Sequence, residues 1–263
     1  MQHADAHLPR PNAVNRDVLA RYLSEFLDVR CFKDVAPNGL QVEGSPLVHK
    51  IVTGVTANEG LIEAAIAAHA DTILVHHGLF WKGDDPRIVG FHRKRIAHLL
   101  SKNINLFAFH LPLDAHAEVG NNAQLARRLG LTVMGATGEA DLVLYGQLGN
   151  GIPVRPAVLA AFCARHFGNR VALYTSSVGN VQKIAWCTGA GGSLLRDAID
   201  AGAEAFITGE ISEHHIHVAR ESNVTLITVG HHASERDGPR RLGEHLAAKF
   251  KVTSEFIDID SPL

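Results

Sequence analysis

A weak internal repeat limits the folds that are open to this chain. Three segments of the first half recur in the second half: residues 50–54 as 183–187, residues 70–74 as 203–207, and residues 103–114 as 223–235. The last pair ends in His-x3-Asp in one copy and in His-x3-Glu in the other. A supersecondary unit that occurs twice indicates a duplicated architecture. The chain is therefore expected to form two related α/β lobes.

The hydrophobic pattern of the first copy is that of alternating strands and helices. An opening amphipathic helix is predicted over residues 16–27, with Asn15 as its N-cap. Three buried strands follow, with two helices between them: strands at residues 50–55, 72–76 and 105–109, and helices at residues 61–69 and 87–102. This order favours right-handed βαβ units around a parallel sheet.

The lobe boundary is placed between the two copies. We expect a flexible tail at residues 1–14, a first α/β lobe at residues 15–130 and a second at residues 131–263. The tail lacks the apolar stretch of a secretory signal, and no apolar run approaches the roughly 20 residues that span a bilayer. The three cysteines lie far apart in the sequence, which is typical of a reducing compartment. The protein is expected to be cytoplasmic.

The charge balance disfavours polyanionic partners. The formal net charge is −2, whereas a nucleic-acid backbone or an anionic membrane surface favours a basic protein. We therefore expect no membrane partner. Nucleic acid stays a distant alternative that a local basic patch would have to support.

The clearest sign of chemistry is the clustering of the 17 histidines. Six residues with metal-ligand side chains follow predicted strands or their counterparts in the second copy: His76, His77, His110, Asp114, His231 and Glu235. Doubly wound sheets bind ligands at the carboxyl ends of their strands. Pro112 predicts a turn between His110 and Asp114, and Gly230 predicts an irregular loop around the second motif. A lone histidine is more often a hydrogen-bonded core residue, but matching motifs after repeated strands favour a metal site.

The composition of this set suits two divalent ions rather than one. Imidazole and carboxylate groups bind zinc, iron, manganese, nickel or cobalt, and a catalytic zinc ion usually takes three protein ligands. Two ions about 3.5–4 Å apart could share a bridging carboxylate or hydroxide, activate water and clamp a substrate oxygen. Two carboxylates would leave such a centre positive, so it would attract phosphates and nucleotides.

Other polar residues are weaker candidates for chemistry. His232 could serve as an acid or base in the same cleft. Glu210 and His214 are candidates for supporting the ligands or for transferring protons. Two histidines of the same segment are interpreted as parts of a helix that is merely histidine-rich: His215 and His217. The glycine-rich residues 189–193 could hold a phosphate, although such turns are also common for packing alone.

Several motifs of this chain occur together in one known family. They are Pro37-Asn38-Gly39-Leu40-Gln41-Val42, Val75-His76-His77-Gly78-Leu79, His110-Leu111-Pro112-Leu113-Asp114, Gly120-Asn121-Asn122, Cys187-Thr188-Gly189-Ala190-Gly191 and Gly230-His231-His232-Ala233-Ser234-Glu235-Arg236. In this combination the chain resembles the Nif-three-like dinuclear metal-centre family, whose members are often named GTP cyclohydrolase 1 type 2 homologues. The resemblance runs from about residue 16 to the C-terminus and covers every expected ligand. It implies two α/β lobes with a dinuclear site between them, and a toroidal homohexamer whose metals face the interior.

Two functional hypotheses follow from these features. The first is a metal-dependent hydrolase that acts on a nucleotide, with GTP ring opening as the reaction that the resemblance implies. Proton transfer would then fall to His232 or Glu210. The second is a non-catalytic metal carrier or assembly factor, which the surplus of histidines and the lack of a guanine-recognition motif support.

Overall fold

Strands and helices alternate along the chain in the computed structural model, which describes residues 12–175 and 179–262. The strands are β1 (Val14–Asn15), β2 (Gly39–Val42), β3 (Leu47–Val48), β4 (Lys50–Thr56), β5 (Thr72–His77), β6 (Asn105–Ala108), β7 (Leu131–Thr137), β8 (Val143–Leu148), β9 (Ala172–Tyr174), β10 (Ile184–Cys187), β11 (Ala205–Thr208), β12 (Thr225–Thr228) and β13 (Thr253–Phe256). The helices are α1 (Arg16–Phe26), α2 (Glu59–Ala67), α3 (Gly90–Ser101), α4 (Leu111–Ala115), α5 (Asn121–Arg128), α6 (Pro156–Phe167), α7 (Leu195–Asp200), α8 (Glu213–Glu221), α9 (His231–Ser234) and α10 (Asp237–Phe250). Among these described helices, none combines the length and hydropathy of a membrane-spanning segment.

Two mixed sheets form the framework. The first has the order β13-β4-β5-β6-β2, in which only β2 runs antiparallel to its neighbour. The second has the order β7-β8-β10-β11-β12-β9, with a parallel centre of β10, β11 and β12 and antiparallel strands on both flanks. The centres β4-β5-β6 and β10-β11-β12 share one order and direction. The α/β fold with two related lobes is therefore confirmed.

Helices cover both faces of each parallel centre, which explains why nearly every residue of these strands is buried. Successive residues point to opposite faces, so Ile51 packs with α1 and α10 whereas Val52 packs with α2. In the second sheet, Trp186 lies in the cluster with α5 and α6, whereas Phe206 packs with α7 and α8. The carboxyl ends of the parallel strands are left free to carry a site.

The chain crosses between the two sheets more often than the predicted boundaries allow. Although they precede residue 131, Leu125 of α5 and Leu129 at its C-terminal end belong to the apolar cluster of the second sheet. Beyond residue 236 the chain returns to the first sheet, where α10 packs beside α1 and β13 extends the edge next to β4. The predicted second lobe, residues 131–263, is therefore too long at its C-terminal end. Tertiary contacts cause this return to the first sheet, because the apolar face of α10 packs against that of α1 and β13 pairs with the edge of β4.

The predicted tail comprises residues 1–14, of which residues 1–11 lie outside the described residues. Its last residue is structured: Val14 is buried and pairs with Val48 in an antiparallel bridge between β1 and β3. Asn15 caps α1, since its Oδ1 accepts the backbone N–H groups of Asp17 at 2.9 Å and Val18 at 3.3 Å. This cap is the one that the sequence predicted.

Candidate metal centre

The carboxyl ends of β5, β6 and β12 meet, and their following residues bring all six predicted ligands together. The strand β5 ends in His76 and His77, and the chain after β6 carries His110 and Asp114. Because β5 and β6 are parallel neighbours, these four side chains emerge at one edge of the first sheet. The segment after β12 supplies the remaining pair from the second sheet.

Both His-x3-acid motifs are helical, which corrects the predicted turn and loop. The N–H of Asp114 donates to the carbonyl of His110 at 3.1 Å, and Pro112 lies in the first turn of α4, where its missing N–H is no loss. In the second motif the N–H of Ser234 donates to the carbonyl of Gly230 at 3.0 Å as α9 begins. Residues four apart share one helical face, so each histidine lies beside its carboxylate.

Glu235 is the residue around which the other ligands gather. Its Oε1 lies 3.4 Å from Nε2 of His76, and its Oε2 lies 3.3 Å from Nε2 of His77 and 3.1 Å from Nε2 of His231. Nε2 of His76 is also 3.4 Å from Oδ1 of Asp114. Three overlapping triads of described residues could each hold a metal ion: His76, His77 and His110; His77, His231 and Glu235; and His76, Asp114 and Glu235.

Each of the four histidines has a partner on its Nδ1 atom. The partners are the Phe109 carbonyl for His76 at 2.9 Å, Thr56 Oγ1 for His77 at 3.1 Å, Asp34 Oδ1 for His110 at 2.8 Å, and Glu210 Oε1 for His231 at 3.2 Å. Contacts of this kind fix ring orientation and leave the Nε2 lone pair for a metal. The arrangement is therefore that of histidines prepared to bind a metal through Nε2.

Two buried atoms of the cluster make no hydrogen bond with any described residue. They are Nε2 of His76, a side chain that is fully buried, and Oε2 of Glu235, which is 3% exposed. A buried polar atom without a partner costs on the order of 1–3 kcal/mol. A divalent cation would satisfy a histidine nitrogen and a carboxylate oxygen together, so the residues fit a metal ion.

The electrostatics favour positive charge on two of the four histidines. Burial lowers the pKa of His76, but Asp114 and Glu235 raise it more strongly, to about 9. Burial also lowers the pKa of His231, which Glu235 and Glu210 raise to about 9. For Glu235, burial raises the pKa, yet the histidines hold it well below its ordinary value. Glu235 is therefore an anion that draws a cation into the cluster.

Residues with no predicted role support the carboxylate and imidazole ligands. Oδ1 of Asp114 accepts hydrogen bonds from Nδ2 of Asn121 at 2.9 Å and from Oγ1 of Thr188 at 3.2 Å. Both donors lie in motifs that carry the family resemblance, which is the signal that could have found them. Asp34, the partner of His110, had no local signal at all, because 76 residues separate the two.

The glycine-rich turn lies against Glu235. Gly189 has φ +63°, and a Cβ atom there would lie 2.0 Å from Oε1 of Glu235. Glycine is thus needed for this close approach, which supports the packing interpretation of the turn. The same turn and several candidate ligands line a cavity of about 220 Å³, whose lining includes Ala190, Gly191, Asp114, His231 and Glu235. This cavity is the space in which a substrate would meet the cluster.

The weaker candidates occupy distinct places. His232 is buried, its Nε2 lies 2.7 Å from Oδ1 of Asp258, and it lines a second cavity, of about 160 Å³, together with His77 and His231. Glu210 is 40% exposed and contacts the ligand His231 from outside. The ring of His214 contacts that of His215, with centroids 3.9 Å apart and the planes tilted by 44°, and His214 belongs to none of the three triads of described residues.

The histidines of α8 have structural partners, as expected for a histidine-rich helix. Nδ1 of His215 accepts the N–H of Ser212 at 2.9 Å and so caps the helix. His217 pairs with Glu213 at 2.7 Å on the exposed side. These contacts account for both residues without a metal.

Known proteins are similar to this chain over nearly its whole length. The chain matches the family model described as Duf34/NIF3 (NGG1p interacting factor 3) over residues 14–262. It is 48% identical over 246 residues to a protein of Escherichia coli K12 named GTP cyclohydrolase 1 type 2 homolog, with 93% of this chain and 98% of that protein covered. A Pseudomonas aeruginosa protein of the same name is 44% identical over 253 residues, covering 95% of this chain and 99% of the relative.

A solved structure agrees with the fold. The protein ybgI, which is described as being of unknown function, superposes with a TM-score of 0.91 at 45% sequence identity, with 95% of this chain and 100% of that chain covered. The resemblance expected from the motifs is thus confirmed in sequence and in fold, and the chain belongs to the DUF34/NIF3 family.

Proposed function

We propose that the cluster holds two divalent metal ions and that Glu235 would serve as a ligand to both, with one carboxylate oxygen for each. The observation that carries this proposal is the position of the two Glu235 oxygens. Oε1 faces His76 at 3.4 Å, whereas Oε2 faces His77 at 3.3 Å and His231 at 3.1 Å. One carboxylate thus faces His76 with one oxygen and both His77 and His231 with the other. Four histidines and two carboxylates exceed what one catalytic zinc ion takes.

Asp114 and His110 are the remaining two candidate ligands of the proposed metal ions. Asp114 lies beside His76, and His110 shares a triad with His76 and His77. Zinc, iron, manganese, nickel and cobalt all accept imidazole and carboxylate ligands, so this donor set is compatible with each of them.

The chemistry that we propose is hydrolysis of a nucleotide. When bound, a pair of divalent ions can activate water and polarise a substrate oxygen. His232 would carry a proton at Nε2, where Asp258 lies 2.7 Å away, and the cavity that it lines also contains His77 and His231. Glu210 would orient His231 through Nδ1 rather than contact a substrate.

Nucleotide substrates are supported by the relatives' names and by the residues that line the cleft. Both curated relatives are named GTP cyclohydrolase 1 type 2 homolog. The 220 Å³ cavity beside the ligands is walled by apolar and small residues, including Leu111, Leu142, Ala190 and Leu194. A cavity of this kind suits a planar base, while a positive metal pair would attract the phosphates.

The test is elemental analysis and GTP turnover on the same purified samples. Glu235→Gln keeps the shape of the bridging residue but removes its charge. We expect about two metal ions per chain in the wild type and loss of metal and turnover together in the variant. Glu213→Gln, at an exposed glutamate that pairs with His217 on the outer side of α8, is the matched control and should behave as the wild type. A wild-type protein that binds no metal would refute the proposal.

A metal carrier is the second candidate, and the exposure of His231 favours it. The His231 side chain is 25% exposed and lines three of the cavities around the cluster, so an acceptor could reach this ligand. The carrier hypothesis expects two bound ions without GTP turnover and rapid transfer of metal to a competing chelator. Ions that stay bound for hours against excess chelator would exclude it.

We also propose that the chain assembles into the homohexameric ring that its family resemblance implies. Three apolar side chains cluster on the surface at the start of α3, at exposures of 54%, 55% and 71%: Ile88, Val89 and Phe91. Exposed apolar groups of this kind mark contact surfaces. Light scattering of the purified protein measures the mass, and a monomer would refute the assembly.

A further inference from the structure

A segment that follows α1 and runs into β2 contacts both ligand-bearing loops of the first sheet. It comprises residues 34–41 and includes Pro-Asn-Gly-Leu-Gln, which carries the family resemblance but for which the sequence indicated no role. One part of the segment binds the chain around His110, and the other binds the chain that follows His77. These contacts join positions that lie far apart in the sequence.

Asp34 makes the central contacts. Its side chain is 3% exposed, and its Oδ1 lies 2.8 Å from Nδ1 of His110. Oδ2 accepts the N–H of Leu111 at 3.0 Å and the amide of Asn38 at 2.9 Å. Oδ1 also accepts the N–H of Val35 at 2.7 Å. The carboxylate is therefore held in one position by several donors.

Asn38 connects Asp34 to the backbone of the ligand. Its Oδ1 accepts the N–H of His110 at 2.7 Å, while its Nδ2 donates to Asp34. His110 is thus fixed at two points, its backbone by Asn38 and its ring by Asp34. With Nδ1 donating to a carboxylate, the lone pair of the ring remains on Nε2, the atom that a metal would bind.

The other part of the segment fixes the loop after β5. Oε1 of Gln41 accepts the N–H of Leu79 at 2.8 Å, and the N–H of Lys82 donates to the carbonyl of Val35 at 2.7 Å. The fit is tight, because a Cβ atom on Gly78 would lie 2.2 Å from Oε1 of Gln41. The loop that follows His77 is therefore held by the same segment that holds His110.

We infer that residues 34–41 are the support of the metal centre and that Asp34 is a positioning residue, which fixes the ring of His110 with Nε2 directed at the ion. This inference rests on the proposed metal site. Outer carboxylates of this kind typically contribute about 10–100-fold to metal affinity.

The test compares Asp34→Asn with the wild type, using Co²⁺ added to metal-free protein. Equilibrium dialysis gives the affinity, and the visible absorption of Co²⁺ reports its ligand set. We expect one of the bound ions to be held about 10–100-fold more weakly, with a changed spectrum. Asp71→Asn is the matched control, because Asp71 also accepts two backbone N–H groups, those of His49 at 2.7 Å and Lys50 at 2.9 Å, at the opposite ends of the strands. It should lower thermal stability without changing Co²⁺ binding.

The outcomes separate this inference from the proposed function. A wild type that binds no Co²⁺ refutes the metal site itself. A wild type that binds Co²⁺, with an Asp34→Asn variant of equal affinity and spectrum, refutes the role of Asp34 alone. If Asp34→Asn does not fold, Asn38→Ala removes the amide that holds Asp34 and His110, and an unchanged Co²⁺ spectrum in that variant overturns the inference.

Discussion

Replacing Gly189 with alanine tests whether the position of the Glu235 carboxylate controls metal binding. The new Cβ atom would lie 2.0 Å from Oε1 of Glu235 and 3.3 Å from Nε2 of His231. Real Cβ atoms essentially never lie within 3.0 Å of another heavy atom, so the carboxylate has to move by about 1 Å or the turn has to shift. Metal–ligand distances tolerate only about 0.2 Å.

The backbone cost of the substitution can be separated from this clash. A left-handed conformation costs a residue other than glycine about 1–2 kcal/mol, and Gly189 has φ +63°. Gly130 has φ +58°, and a Cβ atom added there would have no heavy atom within 4 Å. Gly130→Ala therefore carries the same backbone cost without the clash. At roughly 2–4 °C per kcal/mol, it should lower the unfolding midpoint by about 2–8 °C.

The assay is Co²⁺ binding to both metal-free variants, together with their thermal unfolding. Gly130→Ala should bind Co²⁺ as the wild type does. Gly189→Ala should fold but bind Co²⁺ at least about 100-fold more weakly. Displacing the Glu235 carboxylate should weaken binding more than removing a residue that only hydrogen-bonds to a ligand. If both variants bind Co²⁺ with affinities within about threefold of each other, the position of the Glu235 carboxylate does not control metal binding and the reasoning is refuted.

Three further predictions concern the protons released when metal binds, proton transfer by His232, and the contact between the two sheets. The pKa values of His76 and His231 are raised to about 9, so both rings are protonated in metal-free protein at pH 7. Binding of metal should therefore release at least about two protons per chain at pH 7, and fewer at pH 9. Calorimetry in buffers of different ionisation enthalpy measures this release, and no release at pH 7 would contradict it. His232→Ala should keep its metal and lose turnover by about 100-fold or more, and unchanged turnover would remove His232 from the mechanism. Arg128→Met should lower the unfolding midpoint by about 2–8 °C, as calorimetry would show, because Arg128 makes two 2.7 Å hydrogen bonds to the carboxylate of Asp237 on α10. An unchanged midpoint would mean that this pair does not stabilise the contact.

Features that depend on local pattern could be predicted well from the sequence. Apolar runs bounded by turn residues mark the strands, and side chains at the carboxyl ends of neighbouring parallel strands must lie close together. That rule brought His76, His77, His110 and Asp114 together in advance, and the repeat added His231 and Glu235 from the second sheet. The prediction of a turn at Pro112 was wrong, because proline disfavours the interior of a helix but suits its first turn.

What the sequence determined by itself was the kind of fold and the set of candidate ligands, since both follow from periodicity and from residue chemistry at strand ends. The tertiary structure alone decided the return of α10 and β13 to the first sheet, the contact of Gly189 with Glu235, and the pairing of Asp34 with His110. Each of these joins residues that are distant in sequence and carry no shared local signal. Such contacts depend on the shape that two packed sheets make together, and no periodicity along the chain encodes that shape.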